Sequence, residues 1–151
     1  MFIDRLLAES RAGTLKQELR LIYISPLKSL ASDIRENLRL PLNGILEEER
    51  SSCSSTRSTP FDLNIAIRTG DTPQNERRGM IKHPPHILIT TPESLFLMLT
   101  SKSGQKIMCT AKAIIIDELH AIIDSKRGAH LMLSIARLDK LCPEPLQRIG
   151  W

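Results

Sequence analysis

Aromatic residues are nearly missing: phenylalanine, tyrosine and tryptophan together make up 3% of the chain. Stacking of nucleic-acid bases on exposed rings is therefore a poor prospect, and any contact with such a ligand has to run through its phosphates. Cysteine is scarce as well. Cys53, Cys109 and Cys142 are odd in number, far apart and without a CxxC pair. That argues against a disulfide framework and a structural zinc site, and it fits a reducing cytoplasm. No apolar run approaches a membrane span, and the first residues lack the hydrophobic stretch of a signal peptide. The phosphate-cradling GxxxxGKS/T loop, GxGxxG, HExxH and the GxSxG nucleophile elbow are all absent from the sequence.

What is present suits one domain with a real core. There are 151 residues, 41% hydrophobic and 25% charged. Lysine and arginine number 21 against 17 acidic residues, a net charge of +4 that is compatible with a polyanionic partner without requiring one.

The chain is organised around Ala113-Ile114-Ile115-Ile116-Asp117-Glu118-Leu119-His120. Four apolar residues, three of them β-branched, run straight into two carboxylates, which reads as a buried strand with acid at its C-terminal end. Ligands of open α/β sheets bind outside that end. Asp117 there could hold Mg²⁺ and Glu118 could polarise a water for attack on a phosphate. The plainer reading is a strand that ends and a turn that begins.

Taken in order, Phe2 to about Ala12 has helical spacing and Gly13 is a stop. Leu21–Ile24 is a strand. Ser25-Pro26 then opens a helix whose apolar face is Leu27, Leu30, Ala31, Ile34 and Leu38. Pro41–Glu49 is a second short helix, and Arg50–Pro60, rich in Ser, Thr and Arg, is an exposed loop. Leu63–Arg68 is a strand that ends in Thr69-Gly70-Asp71-Thr72, and Pro73 begins a helix. His86–Thr90 is a third strand, and the helix after it presents Leu95, Met98 and Leu99. After the acidic strand comes a long helix with Leu131, Ile135, Leu138 and Cys142 in register, and Arg148-Ile149-Gly150 starts a further strand. Strands alternating with helices predict an α/β fold with a mostly parallel sheet.

Three strand ends repeat one device. Ser25-Pro26, Thr72-Pro73 and Thr91-Pro92 each place a hydroxyl and a proline where a helix begins, and free N–H groups there attract anions. Ordinary capping requires no more than this. In a parallel sheet all three share an edge with Asp117. Lys28 lies in a first helical turn, where the dipole disfavours a cation unless a phosphate is bound or the side chain leans into solvent. His130 reads as a partly buried helix residue, His83 and His86 as loop residues around Pro84-Pro85, and Lys126-Arg127 as a surface basic pair.

Assembled in order, these stretches resemble a superfamily 2 DExH-box helicase. Tyr23-Ile24-Ser25-Pro26-Leu27-Lys28-Ser29-Leu30 is similar to motif Ia, Arg68-Thr69-Gly70-Asp71-Thr72 to the motif between Ia and Ib, Thr91-Pro92-Glu93-Ser94 to motif Ib, and Asp117-Glu118-Leu119-His120 to the DExH box. Asp71-Thr72-Pro73-Gln74 with Glu76-Arg77, and Ser125-Lys126-Arg127-Gly128-Ala129-His130-Leu131, resemble the Lhr (large helicase-related) group. The likeness runs from Leu19 to Trp151 and is weakest near Ser51–Thr59.

The resemblance implies a RecA-like P-loop NTPase domain that uses ATP and Mg²⁺. It implies that Asp117 coordinates the metal, Glu118 activates water and His120 couples the nucleotide state to the nucleic acid. Ser25, Pro26 and Lys28, Thr69, Gly70 and Asp71, and Thr91, Pro92 and Glu93 would line the track of a single strand, with DNA favoured over RNA and movement 3′ to 5′. It also implies that residues 1–151 form a partial domain, truncated at both ends, without the phosphate-loop strand, motif III or the second RecA-like domain. The missing segments would come from an adjacent chain. On that reading the DExH strand is an exposed apolar edge and the chain alone does not hydrolyse ATP. The rivals are a nucleic-acid-binding module without catalysis and a non-functional remnant of a split gene.

Overall fold

The computed structural model describes residues 5–6, 8–9, 12–27, 33–37 and 63–150. Lys28, the apolar positions Leu30, Ala31 and Leu38, the expected helix Pro41–Glu49 and the expected loop Arg50–Pro60 lie outside the described residues.

Among the described residues five short strands form one sheet: β1 (Leu21–Ile24), β2 (Ile65–Arg68), β3 (Ile87–Thr90), β4 (Ala113–Ile116) and β5 (Gln147–Gly150), in the spatial order β2-β3-β1-β4-β5. Every pairing is parallel. Between the strands run α1 (Gln74–Lys82), α2 (Pro92–Thr100), α3 (Lys102–Met108) and α4 (Lys126–Leu141), and residues 5–6, 8–9 and 33–37 are also helical. Gly13, at φ +65°, takes the left-handed conformation after the first helical stretch that glycine adopts without a Cβ penalty.

The strand sequences explain the layers. Side chains alternate between faces, so Ile22, Ile24, Leu88, Ile114 and Ile116 share one face. There they pack against Met80, Leu95, Met98, Ile107, Met108, Leu131, Ile135 and Leu138 of the helices. Leu21, Ile87 and Ala113 take the other face, with Leu6 buried on them and Leu15, Leu63, Ile65 and Ile115 partly so. Burying each large apolar side chain stabilises the fold by roughly 1.5–3 kcal/mol.

The structure corrects the sequence reading in three places. The DExH strand is not an edge: β4 pairs with β1 on one side and with β5 on the other, Ile114 opposite Arg148 and Ile116 opposite Gly150. The strand that starts at Arg148 lies against the acidic strand and closes it. Two helices, not one, follow β3. Ser101 ends α2 and caps α3, its hydroxyl accepting from the Gly104 amide at 3.1 Å. Finally, Thr72 does not cap α1. Pro73 occupies the N-cap position without a side-chain bond, and the Thr72 hydroxyl instead accepts from the Thr69 amide at 2.8 Å, inside the preceding turn. A tight turn before the proline draws the hydroxyl backwards.

Candidate functional site

The register fixes which residues meet. Arg68, Thr90, Ile24, Ile116 and Gly150 stand in one row across the sheet. Their successors Thr69, Thr91, Ser25 and Asp117 therefore emerge from one edge, as the parallel reading of the sequence requires. The Ser25 amide bonds the Thr90 carbonyl at 3.0 Å, and the Asp117 amide bonds the Ile24 carbonyl at 3.0 Å.

Asp117 is held at both oxygens. Its Oδ1 accepts from the Glu118 amide at 2.9 Å and its Oδ2 from the Tyr23 hydroxyl at 2.9 Å. Tyr23, the one tyrosine in the sequence, is pushed up to about 12, by burial first and then by this carboxylate and Glu118. Sequence reasoning did not single it out; the signal was its place two residues before Ser25 on β1.

Each Asp117 oxygen keeps a lone pair beyond these bonds, and the residue is half-buried. A hard oxygen donor of this kind suits Mg²⁺, which takes one or two carboxylates and fills the rest of its shell with water and phosphate. Among the described residues no group of three His, Cys, Asp or Glu forms a self-sufficient metal cage. The residues fit a shared metal of that type, with Asp117 as the protein ligand.

Glu118 has φ 51° and ψ 36°, the one non-glycine residue with positive φ among those described. Its carboxylate meets His120 Nε2 at 3.0 Å, with both side chains largely exposed. Left-handed backbone in a residue with a Cβ costs about 1–2 kcal/mol and collects at functional positions. Glu118→Gly should therefore stabilise the chain by about 1 kcal/mol, raising Tm by about 2–4 °C, whereas Glu118→Gln leaves it unchanged. Thermal denaturation followed by circular dichroism measures this; a glycine variant that melts lower contradicts the strain assignment.

The loops beside Asp117 are tied down. In the Thr69–Thr72 turn Arg77 is the clamp: its Nε donates to the Thr72 carbonyl at 2.8 Å and its Nη2 to the carbonyls of Thr69 at 3.3 Å and Gly70 at 2.7 Å. Gly70 and Asp71 are exposed at the tip, and Thr69 is buried. Arg68 is near enough to Arg77 that its own acidity rises, by burial first and then by that like charge. Two cations thus sit at this strand end.

Thr91 is 2% exposed and its hydroxyl caps α2, accepting from the Ser94 amide. Pro92 is buried behind it. The Glu93 carboxyl lies below the ordinary range, chiefly through the Arg127 hydrogen bond, against the effect of burial. Arg127 grips it with Nε to Oε1 at 2.5 Å and Nη2 to Oε2 at 3.1 Å, and Nη2 also reaches the Pro26 carbonyl at 2.8 Å. Arg127, read from the sequence as half of a surface basic pair, is partly exposed but ion-paired, while Lys126 is exposed as expected. Ser25 and Pro26 are buried, and the Ser25 hydroxyl donates to the Leu27 carbonyl at 3.2 Å. His130 is half-buried against the Phe96 ring, 4.5 Å between centroids. His86 is buried and its Nδ1 accepts from the Asn64 amide at 3.0 Å.

A parallel α/β sheet with helix starts and an Asp-Glu pair gathered at one carboxyl edge is the arrangement of a RecA-like helicase domain. The chain belongs to the DEAD/DEAH box helicase family, whose model matches residues 2–151. Within it, the chain is 47% identical to the Lhr helicase/uracil glycosylase of Escherichia coli over 152 residues, which is 98% of this chain and 10% of that protein. It is 41% identical to ATP-dependent helicase Lhr-Core protein 2 of Thermococcus barophilus, covering 98% of this chain and 17% of the relative. Among solved structures, Mycobacterium smegmatis helicase Lhr bound to ssDNA and AMP-PNP superposes with a TM-score of 0.83 at 47% identity, over 98% of this chain and 18% of that one. The chain corresponds to part of the helicase domain of Lhr-type proteins and spans less than a fifth of the length of each.

Proposed function

We propose that this chain carries the metal-and-water half of an ATP site beside a phosphate-reading track for one nucleic-acid strand, and that it serves an ATP-dependent helicase of the Lhr type. The observation that carries the proposal is the common register of four strands, which puts Asp117, Ser25, Thr69 and Thr91 on one edge.

On this edge Asp117 takes the metal, and its two hydrogen bonds keep the carboxylate from turning. Glu118 orients the attacking water, and His120, paired to it, couples the nucleotide state to the nucleic-acid track. Bound Mg²⁺ would supply neutralisation of phosphate charge during in-line displacement. The track runs over Ser25–Leu27 with Lys28, over Thr69, Gly70 and Asp71, and over Thr91 and Pro92. Buried hydroxyls and clamped loops suit main-chain contact with phosphates more than base readout. Single-stranded DNA is the favoured ligand, supported by the ssDNA bound in the M. smegmatis relative.

The 151 residues hold no GxxxxGKS/T loop to cradle the β- and γ-phosphates. By itself the chain is therefore expected to bind without turnover, which is also what a second reading, a binding module, would give. One experiment separates the two. The purified chain should show no ATPase above background, with or without single-stranded DNA. Fused in frame to the phosphate-loop, motif III and second RecA-like domain segments of a relative, it should gain DNA-stimulated turnover. Glu118→Gln should then remove that turnover by a factor on the order of 10²–10⁴. A fusion that binds ATP and never turns it over would leave the binding module as the better account. Turnover by the unfused chain would contradict the partial-site reading.

A further inference from the structure

We propose that Arg127 is a positioning residue for the nucleic-acid track, and that Glu93 serves to orient it rather than to meet the strand. This rests on the function proposed above. Arg127 joins three segments that are remote in sequence: the start of α4, the first turn of α2 through Glu93, and the loop after β1 through the Pro26 carbonyl. The planar guanidinium suits this task, because its fork meets a carboxylate with two parallel bonds while Nη2 reaches a second acceptor.

The charge pattern points the same way. A carboxylate in the first turn of α2 stands at a place meant for phosphates and would repel them. Arg127 neutralises it and depresses its protonation, so Glu93 remains a carboxylate bound to the brace. Held this way, the loops before and after the sheet edge keep their spacing.

Arg127 is also rigidly joined to the acidic box. From Glu118 the chain passes through a 3₁₀ turn (Leu119–Ala121), with Ala121 N–H to Glu118 O at 2.9 Å and Ile122 N–H to Leu119 O at 3.1 Å. Ser125 then caps α4, bonding back to the Ile122 carbonyl at 2.6 Å while accepting from the Gly128 amide at 3.1 Å. At Gly128 the backbones touch: a Cβ there would stand 2.1 Å from the Ile122 carbonyl oxygen. The connection from Glu118 to Arg127 is thus a strut with no slack, and Arg127 is its outer grip on both track loops.

The test uses the chain itself, with oligo-dT as the probe at 50 mM salt and amide exchange as a readout that needs no ligand. Arg127→Lys keeps the charge and loses the fork. It should lower affinity about tenfold with the salt slope unchanged, since misplacement by an ångström is costly. Glu93→Gln should also lower affinity, although it removes a negative charge from a track for anions. In both variants the amides of Ser25, Ser94 and Leu95 should exchange about fivefold faster, with Leu131–Leu138 unaltered as the control for an intact fold. Arg127→Glu combined with Glu93→Arg restores the pair but not the bond to Pro26, so exchange should recover at Ser94 and not at Ser25. Tighter binding by Glu93→Gln, or unchanged exchange at all three amides, would overturn the proposal. So would an Arg127→Ala effect expressed wholly as a shallower salt slope, which would make Arg127 a direct phosphate contact. A wild-type chain that fails to bind oligo-dT counts against the track itself, and the exchange results still decide the brace.

Discussion

The amides of Ile114 and Ile116 should exchange with solvent only when the whole chain unfolds. Alternate amides of a strand point to opposite neighbours. Those of Ala113 and Asp117 go to β1, bonding the carbonyls of Arg20 at 3.1 Å and Ile24 at 3.0 Å. Those of Ile114 and Ile116 therefore face β5, which the register places alongside. Both side chains are also buried, at 0% and 6% exposure. For a domain of ordinary stability this means protection on the order of 10⁴ or more. The amide of Arg148, on the far side of β5, should be close to unprotected. Hydrogen exchange resolved by residue checks both. Protection at Ile114 and Ile116 within about tenfold of Arg148 would mean that β5 is not docked in solution and that the acidic strand is an open edge.

That strand also shows how far the sequence could be read. The run Ala113–Ile116 followed by Asp117-Glu118 was legible because a buried parallel strand leaves an uninterrupted apolar signature. The α4 positions Leu131, Ile135 and Leu138 were legible through helical spacing, and all three are buried. The neighbour of β4 was not. Gln147-Arg148-Ile149-Gly150 is short and mostly exposed, so no periodicity announces that it pairs with the acidic strand. Helix α3 was hidden for another reason. Its start, Ser101-Lys102-Ser103-Gly104, reads as a turn, and Gly104 is there because a Cβ would stand 2.2 Å from the Met98 carbonyl oxygen.

The site divides in the same way. Motif order located the edge, and the register confirms that its segments meet. The hydrogen bonds that organise it were not legible, because they join residues 94 apart (Tyr23 to Asp117) and 101 apart (Arg127 to Pro26). Long-range pairs leave no mark on local spacing. Ordinary capping was legible at Thr91, whose hydroxyl does cap its helix, but not the bond that Thr72 accepts from the Thr69 amide. The hydroxyl-proline device is local chemistry at these strand ends, and a phosphate on the proposed track would be met by backbone that the loops leave exposed, such as Gly70 at the tip of its turn.

The claim that this edge is a backbone-reading track is tested most directly by a salt series. Fluorescence anisotropy with labelled single strands should give a linear fall of log K with log salt. About three phosphate contacts, one for each loop, correspond to a slope near −2 and a loss on the order of 20-fold between 50 and 200 mM salt. Oligo-dT and a mixed sequence should bind alike, because aromatic residues are only 3% of the chain and offer little to stack bases on. A flat salt response, or a strong preference for one base sequence, would contradict the account.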